Sequence, residues 1–265
     1  MGPLPKYWAI LRINLASQTA YLGEMVVRAL FLAIILYVYL QLWTATYGSM
    51  GARTVAGFSV GQMVWYLLLT EAIVLSRPRL TRDVDQDVRA GDIAYQLIRP
   101  YDYVWYRLAL YAGERLLRFA LCLGVGGVVA LALTGEAAIA PTGLVVGGLL
   151  FVVGLLVDFL GAMAIGLCAF WLEETQPFTL LYDRAIMLLG GMLLPLELLP
   201  DPVERALGAL PFQLLLYAPA RAAVSGDLAP FPSASCGLAL TLAAMLLLVR
   251  LIYGQALRRL HANGG

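Results

Sequence analysis

Six apolar runs, each about long enough to cross a bilayer, constrain this chain more than any other feature of its sequence. A crossing helix needs about 20 mostly apolar residues to traverse roughly 30 Å of hydrocarbon. The runs are Met25–Tyr47, Phe58–Ser76, Leu108–Thr134, Gly143–Trp171, Phe178–Leu199 and Ala234–Tyr253. Backbone polar groups in lipid must be satisfied within the segment, so the runs are predicted as helices and the fold class as all-α and polytopic. Composition agrees: 61% of the residues are hydrophobic and 13% charged, with a mean hydropathy of +0.81. A soluble domain carries about 25% charged residues. The chain therefore reads as one integral membrane domain over residues 1–265.

The placement of cations predicts an orientation, because cytosolic connections carry an excess of Lys and Arg. With the N-terminus inside, eleven cations fall on the cytosolic side: Lys6, Arg12, the six arginines from Arg77 to Arg107, Arg184, Arg258 and Arg259. Three fall outside, at Arg53, Arg205 and Arg221, and both termini are predicted to be cytosolic. Residues 1–24 lack the apolar core of a signal peptide. Leu4, Tyr7, Trp8, Leu11 and Leu15 recur instead at helical spacing, the pattern of an interfacial helix. Between Pro200 and Ser233 the apolar stretch Ala206–Ala218 is too short to cross and is broken by Pro211, so this region is predicted to form short re-entrant helices.

Several chemistries are excluded. The only lysine is Lys6, so no phosphate-binding loop of the G-x-x-x-x-G-K-[ST] type exists. His261 is the only histidine, which removes His-metal clusters and Ser-His or Cys-His catalysis. Lys and Arg number 18 against 17 Asp and Glu, leaving no basic surplus for nucleic acid. Cys122, Cys168 and Cys236 lie in apolar runs and read as small hydrophobes.

The densest charge lies between the second and third runs, with six arginines and five aspartates from Arg77 to Arg107. Arg82, Asp85 and Arg89 are spaced i, i+3, i+7, placing opposite charges on one helical face. Gly91 is a predicted helix C-cap and Pro100 a stop. Ile93, Tyr95, Leu97 and Ile98 are interleaved with the charges. Two readings fit: a docking surface for a partner, or a solvated loop that carries positive-inside charge. Within the runs, Asp158 and Arg118 are expected to pair at depth, with Glu114 as a competitor, because an unpaired intramembrane charge is costly. Such a pair either holds helices together or lines a pathway. Gly147, Gly148, Gly154, Gly161 and Gly166 supply small residues for close packing, expected at a seam between chains.

The segment GDIAYQLIRP, Gly91 to Pro100, resembles the glycine-aspartate … leucine-arginine-proline signature of a subgroup of ABC-2 type transporter permeases. Met192 to Asp227, MLLPLELLP … LPFQLLLYAPARAAVSGD, is similar to the proline-marked region after that family's fifth span. Ala94 and Tyr95 stand where the subgroup often has a second acidic residue. The resemblance implies that residues 77–107 contain a coupling helix docking into a separate ATPase subunit, through Gly91, Asp92, Arg99 and Pro100 along with the Arg82–Asp85–Arg89 ladder. It implies two ATPase subunits holding ATP and Mg, no cofactor in this chain, and a second permease that is a related but different chain. The implied activity is ATP-driven export of a drug-like or lipophilic substrate across a bacterial inner membrane, with no catalysis in this subunit. An ion-driven secondary transporter and a non-transporting ATPase anchor are the alternatives. Asp158 at midplane favours the first of these, and the lack of a visible internal repeat disfavours it.

Overall fold

A computed structural model describes residues 22–97, 99, 101–227 and 231–263, and the described residues form helices and turns with a single isolated β-bridge between Val55 and Phe58. The helices are α1 (Leu22–Met50), α2 (Val60–Leu75), α3 (Leu80–Arg89), α4 (Asp92–Leu97), α5 (Tyr103–Thr134), α6 (Pro141–Leu167), α7 (Gln176–Leu189), α8 (Asp201–Gly208), α9 (Tyr217–Ser225) and α10 (Phe231–Asn263). Single 3₁₀ turns occupy Cys168–Phe170, Leu196–Leu198 and Pro211–Leu214. Among the described residues, four helices are long and apolar enough to cross a membrane: α1, α5, α6 with its following turn, and α10.

Local sequence sets several helix ends. Ser59 accepts from Gln62 N while Gln62 Oε1 accepts from Ser59 N, a reciprocal capping box that starts α2. Asp102 Oδ1 accepts from Val104 N and Trp105 N to start α5. Pro141 occupies the first turn of α6, where no intrahelical bond would use the N–H that proline lacks.

The helix α6 is the centre of the bundle. Some 56% of its most apolar stretch is buried, against 11% for α10, which leaves α10 a peripheral helix with one apolar face outward. Around α6 pack α3, α9 and α10, with Leu150, Phe151, Leu155, Phe159, Met163 and Leu167 in the core. A second core forms around α2, where Met63, Tyr66, Leu67 and Leu68 meet Leu32 and Leu36 of α1 and Ala220 of α9. Outward side chains such as Leu30, Ile34, Val128, Val145, Leu240 and Leu247 are exposed apolar groups, as suits contact with lipid.

The bundle has two distinct ends. The α2–α3 junction, α3, α4, the start of α5 and the end of α6 gather at one, hereafter the charged end. At the other, Ala140 N donates to Ala223 O and Gln62 Nε2 to Val224 O, joining the starts of α2 and α6 to α9.

Two expectations change. The run Phe178–Leu199 is not one helix: α7 ends at Leu189, Gly190 and Gly191 turn the chain (φ +71° at Gly191), and a 3₁₀ turn follows Pro195. Hydropathy alone hides such an end because the turn residues are themselves apolar. Gly147, Gly154, Gly161 and Gly166 of α6 are taken up by packing within the chain rather than by a seam between chains, while Gly148 is exposed. A Cβ at Gly147 would lie 2.5 Å from Pro219 O of α9, and one at Gly166 would lie 2.7 Å from Val84 Cβ of α3. The interfacial helix expected over residues 1–24 lies almost wholly outside the described residues.

Candidate functional site

The charged end is built from α3. Leu80, Thr81 and Val84 are buried on one side, which seats the helix against α6, while Arg82, Asp83, Gln86 and Arg89 are exposed on the other. Thr81 Oγ1 donates to Ala162 O at 3.2 Å, and Val84 fills the space left by the missing side chain of Gly166. An acidic residue in the first turn and Arg89 in the last match the helix dipole.

Much of the loop's charge is satisfied within the chain itself. Asp87 accepts from Tyr103 Oη (2.6 Å) and Gln96 Nε2 (3.2 Å) and pairs with Arg107, so one carboxylate joins α3, α4 and the first turns of α5. Asp85 pairs with Arg89 (2.7 Å) and accepts from Thr175 Oγ1 (2.9 Å), just before α7. Hydrogen bonds from Arg89, then from Thr175, hold the Asp85 carboxyl below the usual carboxylate range. Ile93, read in the sequence as available to a partner, is 1% exposed and belongs to the chain's own core.

Behind this loop lies a buried ionic network centred on Asp158 of α6. Arg77, at the α2–α3 junction, donates from Nε and Nη2 to both oxygens of Asp158 at 2.8 Å, a bidentate pair. Its Nη1 reaches Asp183 of α7 at 2.6 Å, and its guanidinium lies 5.4 Å from the Tyr182 ring centroid. Arg115 of α5 also pairs with Asp158, beside Tyr111 Oη, which donates to Asp158 at 2.9 Å. Tyr182 Oη donates at 3.2 Å. Two arginines and two aspartates thus balance in charge across four elements. A buried pair of this kind is favourable only with close geometry and added hydrogen bonds, which both oxygens of Asp158 receive, while Arg115 Nε is left without a partner.

The expected Asp158–Arg118 pair does not form. Arg118 pairs with Glu114, four residues earlier on α5, at 2.5 Å. Tyr111, Arg115 and Phe119 recur every four residues on the α6-facing side of α5, and Arg118 is rotated off that stripe. Asp158 does have partners, as its depth demanded, but they are Arg77 and Arg115.

The other predicted residues fall as follows. Gly91 has φ +75° and separates α3 from α4, as a C-cap glycine does. Asp92 opens α4 and is exposed. Arg99 is exposed and donates to Tyr101 Oη at 3.0 Å. Pro100 lies outside the described residues. Arg82 faces outward, whereas Asp85 and Arg89 bridge to the α6–α7 connection, where Arg89 Nη2 also donates to Leu172 O.

Between α3, the end of α6 and α7 is a cavity of about 670 Å³, whose lining includes Arg77, Thr81, Ala162, Thr179, Asp183 and Met187. A larger cavity of about 1030 Å³ at the opposite end lies among α8, α9 and α10.

A family model described as ABC-2 family transporter protein matches residues 30–264. The chain belongs to the ABC-2 transporters. No curated protein matches it. As an ABC-2 permease it is a multi-pass membrane component of a transporter, in a family whose members work with an ABC ATPase. In this permease the sequence reading misses Arg77, Tyr111, Arg115, Tyr182 and Asp183. From sequence, Arg77 stands only among the positive-inside charges. Its position directly after an apolar run, with a side chain able to reach back, was the available signal.

Proposed function

We propose that this permease is the membrane-spanning subunit of an ATP-driven exporter, with α3, α4 and the adjoining turns as its ATPase docking element. The observation that carries this reading is the build of the charged end. The helix α3 is locked into α6 on one side and presents Arg79, Arg82 and Gln86 on the other, next to exposed Asp92, Tyr95 and Arg99. A short helix fixed to the core on one face and bare on the other transmits a push from a partner. Asp85 and Arg89 support this surface rather than forming it, because they are tied to Thr175 and Leu172.

In this reading α1, α2, α5, α6, α7 with the chain beyond it, and α10 make six crossings. The charged end and both termini are cytosolic, and residues 200–233 form the re-entrant region of the outer leaflet. Two ATPase subunits bind ATP and Mg, and a second, related permease completes the assembly in a bacterial inner membrane. The cavity of about 670 Å³ at the charged end, with its mixed apolar and charged lining, suits uptake of a drug-like or lipophilic substrate from the cytosolic side.

The test is purification of the tagged chain from its native membrane in mild detergent. A stoichiometric P-loop ATPase should co-purify, and reversing charge at Arg82, Asp92 and Arg99 together should lose it while the permease stays folded. Recovery of a folded permease with no ATPase would reject the reading in favour of an ion-driven transporter. Retention of the ATPase by the triple reversal would move the docking surface elsewhere.

A further inference from the structure

We infer that α7 is a gate helix, hinged at Gly190–Gly191 and held by two polar clasps, Thr175–Asp85 at its start and Asp183–Arg77 midway along it. This inference rests on the reading of α3 as the docking element, since both clasps end on α3 or on the junction that leads into it.

The packing of α7 is sparse. Of its 14 residues only Ile186 is buried, and Phe178, Leu180, Leu181 and Leu188 are exposed. Apolar contact with lipid is as favourable as apolar contact with protein, so exposed leucines do not hold a membrane helix in place. Polar contacts do, and those of α7 sit in two groups. Just past its C-terminal end, Tyr66 Oη donates to Gly191 O, Thr70 Oγ1 to Met192 O at 2.7 Å, and Tyr39 Oη to Leu193 O, while Tyr217 N donates to Gly190 O at 3.1 Å. Donors from three separate elements thus pin the turn in the middle of the bundle. Toward the charged end, Thr175 bonds to Asp85, Asp183 to Arg77, and Tyr182 to Asp158.

The helix is about 21 Å long at 1.5 Å per residue, with Thr175 just before its start and Tyr182 and Asp183 near its middle. One side of it, at Thr179, Asp183 and Met187, forms a wall of the 670 Å³ cavity. The opposing wall is α3 and α6, which are fixed to each other by the Val84–Gly166 approach and the Thr81–Ala162 hydrogen bond. Relative motion is therefore assigned to α7 against a joined α3–α6 body, which α7 meets, besides the two clasps, through Tyr182 at Asp158 and Gly161. Swinging α7 about Gly190–Gly191 opens the cavity sideways, and the two clasps set when it swings. Arg77 and Asp85 act as positioning residues: a shift of α3 on docking or ATP binding changes their reach to Asp183 and Thr175.

Hydrogen exchange followed by mass spectrometry on the full chain in lipid nanodiscs tests this without needing the ATPase. In the double variant Thr175→Val, Asp183→Ala, amides over residues 176–189 should exchange at least tenfold faster, while 80–89 and 141–167 keep wild-type rates. Asp183→Glu, which keeps the carboxylate, should stay within threefold of wild type. If the double variant is not recovered folded, the near-isosteric Thr175→Val alone should speed exchange over 176–189 at least threefold. Unchanged rates over 176–189 would overturn the clasps. Equal acceleration over 80–89 and 141–167 would reduce them to general glue and also overturn the inference. In the co-purified complex, ATP should alter exchange over 176–189 in the wild type and not in the double variant. An ATPase complex in which ATP leaves 176–189 unchanged would sink the gate, whereas absence of any ATPase would sink the docking reading and leave the clasp result standing.

Discussion

At the residue scale the decisive side chain is Asp158, which receives five hydrogen bonds or ion-pair contacts from Arg77, Arg115, Tyr111 and Tyr182. Removing one partner of a buried ion pair leaves an uncompensated charge and costs about 3–5 kcal/mol. Asp158→Asn should therefore lower the free energy of unfolding in mixed micelles by roughly that amount. Arg118→Gln breaks a single i, i+4 pair with Glu114, outside the network that converges on Asp158, and should cost clearly less. Equal effects of the two substitutions would contradict the network. That Asp158 needs a partner is readable from its depth in an apolar run. Which arginine serves is not, because Arg115 and Arg118 differ by less than a helical turn, and only the packing direction of α5 separates them. Asp85 offers a pH test. Its carboxyl is held below the usual range, so its clasp contributes fully above the unfolded value of about 3.9 and is lost as pH falls through the lower folded value. The stability difference between wild type and Asp85→Asn should be present at pH 7 and vanish as the medium is acidified below about pH 4. A difference that stays constant through that acid range would show that the carboxylate charge is not what matters.

At the scale of elements, the contact of α3 with α6 depends on the absence of a side chain at position 166. A Cβ there would stand 2.7 Å from Val84 Cβ and 3.1 Å from Thr81 O. Overpacking of this kind costs about 1–3 kcal/mol. Gly166→Val should lift α3 from α6, raise proteolytic cleavage between residues 77 and 107, and leave α1 and α10 protected. Normal protection of that loop would mean that α3 is not seated by this contact. The sequence signalled α3 itself well: the Arg82–Asp85–Arg89 spacing, Gly91 as terminator and Pro100 beyond it outline a short helix and turn. It also outlined the runs that became α1, α2, α5, α6 and α10 to within a few residues at most ends. It misleads at 178–199, where the apolar run contains Gly190, Gly191 and Pro195 although each ends helices. It could not disclose that Asp87 and Arg107, 20 residues apart, close on each other, since such pairing depends on how α5 leaves the loop.

At the scale of the molecule, the proposed orientation makes a direct prediction. In intact cells of a functional cysteine-free background, a membrane-impermeant thiol reagent should label Glu204→Cys in α8 and not Arg99→Cys; in inside-out vesicles the labelling should reverse. The opposite pattern would invert the topology. The ionic network joins parts of the chain made at very different times. Arg77 and Arg115 precede Asp158 by 81 and 43 residues, and Asp183 follows it by 25. During synthesis, both cations have been made before α6 leaves the ribosome with its lone carboxylate, so the counter-charges of Asp158 precede it along the chain. Asp183 comes last and engages the one guanidinium nitrogen of Arg77 that Asp158 does not use. The order of residues along the chain thus makes α7 the last part of the network to be synthesised.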